Sequence, residues 1–121
     1  MVAGYKNVPA WKRGMSFAHT VYAAVEAAGA KGTEAGTRLR KAAVSVPSLV
    51  SEALLDLPGS DVEAALGLAD AKLAEVAGLL SGEPALAGIP EADRESLLAD
   101  LSALRAELAQ LREERSGERT H

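Results

Sequence analysis

Cysteine is absent from the 121 residues, and aromatic side chains make up only 3% of them. The first absence excludes disulfides and thiolate metal sites. It fits a reducing compartment, so a cytoplasmic location is expected. The second argues against sheets, which draw on aromatic and β-branched residues, because Ala and Leu supply most of an apolar share of 48%. Long apolar runs are missing too, and no stretch approaches the roughly 18 residues of a membrane span. Lys6, Lys12 and Arg13 precede the segment "GMSFAHTVYAAVEAAGA", but His19, Thr20 and Glu26 interrupt the apolar run that a secretory signal needs. What remains is the composition of one helical domain with a single core.

The net charge of −4 conceals an asymmetry. Residues 1–50 carry seven cations against two acids, and residues 51–121 carry six cations against fifteen acids. A basic half joined to an acidic half can face a polyanion, or the two halves can face each other within or between subunits. The second arrangement is the one expected here.

Four helical segments follow from the apolar spacing. The first opens near Pro9, a residue suited to a first helical position. Trp11, Met15, Ala18, Tyr22 and Val25 recur at steps of four and three and are expected on its buried face. "GAKG", Gly29 to Gly32, is a connection and not a phosphate loop, since it lacks GxxxxGK[ST] and no strand precedes it. The second segment runs from an N-cap at Thr33 to about Asp56, with Leu39, Ala42, Val46, Leu49 or Val50, and Ala53 as its core stripe. Pro47 falls inside that stripe, so the helix is expected to kink and continue, with Ser45 and Ser48 serving the freed backbone groups. Ser60 and Glu63 form a capping-box signature for the third segment, and Val62, Leu66, Ala69, Leu73, Val76 and Leu80 give its apolar face. The loop "SGEPALAGIP" can hold a short turn of its own. In the fourth segment, Pro90 to about Arg115, Leu97, Leu101, Leu104, Leu108 and Leu111 alternate steps of four and three. Under three heptads favours an inner bundle helix over a free coiled coil.

These segments imply an all-α, up-down-up-down antiparallel four-helix bundle over residues 1–115, with residues 116–121 as a disordered tail. Leu54, Leu55 and Leu57 at the end of helix 2, with Leu68, Leu79 and Leu98, exceed what one bundle core needs. The first three are the expected oligomer interface.

The segment "YKNVPAWKRGM", followed after a glycine loop by "LRKAAVSVPSLVSEAL", resembles the four-helix bundle family of intervening-sequence proteins encoded within large-subunit ribosomal RNA genes. That family includes the accessory variability determinant, Avd, of diversity-generating retroelements. Its helix 2 pattern is matched at Arg40, Lys41, Ala42, Ala43, Ser45, Val46, Pro47, Val50 and Glu52. "LADAKLAEV" is similar to the helix 3 pattern through Ala69, Leu73 and Glu75. Leu49, Ala53 and Arg38 stand where the family usually has Asn, Gly and Gln. The resemblance implies a homopentameric barrel around a channel, working with a reverse transcriptase and nucleic acid. Lys31, Arg38, Arg40 and Lys41 are then the candidate contacts to phosphate or partner, directed at backbone charge because no aromatics are interleaved for base stacking.

No enzymatic constellation stands beside this. His19 sits among apolar positions and His121 ends the chain, so no histidine pair offers a metal site, and Ser45 has no evident base to activate it. Glu52 reads as an ion-pairing carboxylate. The expectation is a noncatalytic homo-oligomeric accessory protein without a cofactor, partnered by itself and by a reverse transcriptase or RNA, and not by a membrane. The alternatives are a nucleic-acid-binding module using the basic face of helix 2, and a ribosomal RNA intervening-sequence protein.

Overall fold

The computed structural model describes residues 6–55 and 61–119, the last four by their backbone alone. Four helices account for nearly all of them: α1 (Pro9–Ala27), α2 (Glu34–Leu55), α3 (Val62–Gly82) and α4 (Glu91–Arg119). No strand occurs among the described residues. Each helix packs on two neighbours, so that α1 lies beside α2 and α4, and α3 beside α2 and α4. The shared core between them is apolar, with no buried polar or charged residue among the described residues.

Local chemistry sets the boundaries. Pro9 opens α1, and the chain leaves that helix through Gly29, whose φ of 70° suits a residue without a side chain. Thr33 caps α2 as expected: its Oγ1 accepts from the Gly36 amide at 3.0 Å and donates to the Ala30 carbonyl at 2.7 Å. The turn is so tight that a Cβ on Gly36 would stand 2.0 Å from the Ala30 oxygen. At α3 the capping residue is Asp61, which accepts from the Ala64 amide at 3.0 Å. Ser60, expected to cap, lies outside the described residues, as does Leu57.

Helix α2 runs through Pro47 without interruption. The serines serve it differently from the expectation. Ser45 Oγ donates to the Ala42 carbonyl at 2.7 Å, and Ser48 takes part through its own carbonyl, which accepts from Ser51 Oγ at 2.9 Å. A Ser side chain reaches most readily to the carbonyl three or four residues back, which for Ser45 is Ala42 or Lys41 and not Ala43.

The core stripes of α2, α3 and α4 are those expected: Leu39, Ala42, Val46, Val50 and Ala53; Val62, Leu66, Ala69, Leu73, Val76 and Leu80; Leu97, Leu101, Leu104 and Leu108 are all buried, while Leu111, the last of the expected α4 stripe, is half-buried against the core. On α1 the expected face is rotated. The buried side is Ala10, Gly14, Phe17, Ala18, Val21 and Val25, while Met15 and Tyr22 are exposed and Trp11 is half-buried. On this side α1 lies close to α2, with Gly14 against the ring of Pro47 at a distance where an added Cβ would still make an ordinary contact. Helix α4 also extends to Arg119, beyond the expected end near Arg115. Adding a turn to a formed helix is favourable for Glu and Arg, and one Gly costs only about 1 kcal/mol.

The loop after α3 is a plug. A 3₁₀ turn at Pro84–Leu86 buries Leu86, and Ile89 follows it into the core. Arg94 then fastens the loop by donating to the carbonyls of Leu80, of Leu86 at 3.1 Å and of Ile89 at 3.1 Å.

Candidate interaction surface

The edge of α1 that runs from buried Ala18 and half-buried Trp11 to exposed Met15, His19 and Tyr22 forms one wall of a groove. Trp11, Met15, Ala18, His19 and Tyr22 line it from α1, and Val44, Pro47, Ser48 and Ser51 from α2. Its volume is about 490 Å³, within the range of ligand and peptide clefts. Met15 at 38%, Tyr22 at 43% and Val44 at 43% are three of the four most exposed large apolar residues among those described, the other being Leu68 on α3 at 49%. An apolar concavity of this kind is a candidate site for association or ligand binding. The 4-3-4 spacing of Trp11, Met15, Ala18 and Tyr22 is the sequence signal for it, with the direction of the stripe reversed.

The four candidate cations do not form one patch. Arg40 is committed within the subunit: it donates to the carbonyls of Lys31 at 3.1 Å and Gly36 at 3.4 Å and to Thr37 Oγ1 at 3.4 Å, and its guanidinium lies 5.6 Å from the Tyr22 ring centroid. Arg38 turns to α3 and meets Glu75 at 3.6 Å. Lys31 and Lys41 are exposed, with no ion pair among the described residues. Of the leucines expected at an oligomer interface, Leu54 packs against its own core and Leu55 is half-buried.

Ion pairs close the seams with α4. Arg105 grips Asp70 through two bonds of 2.8 and 3.1 Å, Arg112 holds Glu63, and Arg13 of α1 pairs with Glu107. The hydrogen bonds from Arg105 hold the Asp70 carboxyl below the usual carboxylate range, with burial opposing and the charges of Arg105 and Arg112 assisting. The same bond raises Arg105, and the bond to Glu63 raises Arg112. These contacts tie α4 to α1 and α3.

No group of three or more metal-binding side chains occurs among the described residues. No helix among them is long and apolar enough to cross a membrane. Neither the protein-family models nor the curated proteins contain a match to this chain.

Proposed function

We propose that the protein is a noncatalytic, self-associating four-helix bundle that serves as an accessory to a macromolecular partner in the cytoplasm. The observation that carries this reading is the groove between α1 and α2, where Met15, Tyr22 and Val44 are exposed around half-buried Trp11 and a floor that includes buried Pro47. An up-down-up-down antiparallel course belongs to the proposal. It is supported by partner numbers that fall on one helix as they rise on the next: Gly14 with Pro47 and Tyr22 with Arg40, then Glu63 with Arg112 and Asp70 with Arg105. The resemblance in helix 2 extends the reading to a family with the intervening-sequence and Avd proteins, to a ring of five copies, and to a reverse transcriptase or RNA as the partner.

The engagement of Arg38 and Arg40 inside the subunit favours a protein surface over a phosphate track as the main contact. Two measurements separate these. Static light scattering should give a multiple of the 12.5 kDa chain mass, and a single-chain mass at every concentration contradicts self-association. Fluorescence anisotropy with a labelled single-stranded RNA should show at most weak, salt-sensitive binding. Tight binding abolished by Lys31→Glu with Lys41→Glu would instead favour the nucleic-acid module.

A further inference from the structure

Helix register sets four exposed charges beside the α1/α2 groove, none with an ion-pair partner among the described residues: Lys12 and Glu26 on α1, Lys41 and Glu52 on α2; Arg40, also without a carboxylate partner, is half-buried over the Tyr22 ring next to Lys41. Their positions are ordered. Lys12 and Glu26 stand two turns before and two turns after His19, a residue of the groove wall. Lys41 lies two turns before Ser48, on the opposite wall, and Glu52 one turn after it. Because Gly14 sits against Pro47 and Tyr22 under Arg40, Lys12 and Glu52 share one end of the groove, while Glu26 and Lys41 share the other. The rim thus has four corners that alternate in sign, with Lys41 about one turn short of the level of Glu26.

Such an alternation is complementary to itself. A two-fold axis in the plane of the patch, whether along the helices or across them, sets each lysine of one copy over a glutamate of the other. A uniformly acidic or basic partner would match two corners and oppose the other two, and a phosphate backbone would in addition meet exposed Met15, Tyr22 and Val44. We infer that this face is a two-fold contact between two copies of the chain, with the apolar groove walls at its centre and four intermolecular ion pairs at its rim. The inference rests on the self-association in the proposed function and adds its place and its symmetry. Two helices side by side present roughly 20 by 30 Å, so the pair buries about 1,200 Å² in total, the lower end for a specific interface. The dimer is therefore concentration-dependent. A two-fold contact cannot by itself build a ring of five, but it would join two such rings face to face into ten copies.

The test is sedimentation equilibrium of the full chain from low micromolar to several hundred micromolar. The wild type should rise toward twice the chain mass, or to ten times that mass if the ring also forms. Lys12→Glu with Lys41→Glu should weaken association at least about tenfold, because four rim attractions become repulsions. Adding Glu26→Lys and Glu52→Lys reverses all four corners and should restore affinity to near that of the wild type. Val44→Glu should keep the helical circular dichroism of the wild type and lose the dimer. If the wild type associates and none of these variants changes its mass, the inference is overturned while self-association stands. If the four-corner reversal fails to restore what the double variant lost, the rim pairing is overturned. A wild type of single-chain mass throughout overturns the inference and the self-association together.

Discussion

At the scale of single residues, two glycines make opposite predictions. Gly36 closes the α1/α2 turn at a point where a Cβ would be 2.0 Å from the Ala30 carbonyl oxygen, and backbone cannot yield as a side chain can. Gly36→Ala should cost about 2 kcal/mol or more in urea unfolding. Gly14 faces Pro47, but its added Cβ would meet that ring at 3.6 Å, an ordinary contact. Gly14→Ala should therefore be neutral or stabilise by up to about 1 kcal/mol through helix propensity. Equal destabilisation of the two variants would contradict this account of the turn. The sequence shows both residues only as glycines, since a close approach depends on which carbonyl the fold brings near.

At the scale of elements, the loop between α3 and α4 behaves as part of the core. Leu86 is fully buried within that connection, as Leu104 is within α4. Leu86→Ala should cost about 3 kcal/mol, comparable to Leu104→Ala, where an ordinary loop residue would cost a few tenths. The α3/α4 seam supplies a pH dependence. Asp70 titrates below its unfolded value of about 3.9. Its pairing with Arg105 thus adds stability above about pH 4, and that contribution is lost as pH falls through the lower folded value. Asp70 is partly exposed, so the effect is small, about 0.5 kcal/mol. Asp70→Asn should destabilise at neutral pH and flatten the decline of stability below pH 4, as read by thermal melts across pH.

The elements were legible in the sequence where one apolar stripe dominated. Leu-rich α3 and α4 and the Leu39-to-Ala53 stripe of α2 left a single choice of buried face. Helix α1 offered two faces, one marked by Trp11, Met15 and Tyr22, the other by Ala10, Gly14, Phe17 and Val21. Side-chain size points to the first, but close packing against α2 takes the second, and only the tertiary contact at Pro47 reveals it. The candidate surface follows from that reversal. Of the expected basic site, Arg38 and Arg40 have partners that sequence spacing cannot show, since Glu75 and Tyr22 come from other helices.

At the scale of the whole molecule, the bundle is polarised. Its α3 and α4 edges are tied by arginine pairs, and its α1/α2 side carries a groove with exposed apolar side chains and four charges of alternating sign that have no ion pair among the described residues. Screening should weaken the rim pairs while leaving apolar burial in place, so salt should reduce self-association without abolishing it. The most direct measurement is the mass of the wild type beside Val44→Glu over the same concentration range. The wild type should climb above the single-chain mass of 12.5 kDa, and the folded variant should stop at half the mass that the wild type reaches, which is one chain, or five if the ring forms. A variant that reaches the wild-type mass, or a wild type that never leaves the single-chain mass, contradicts the account.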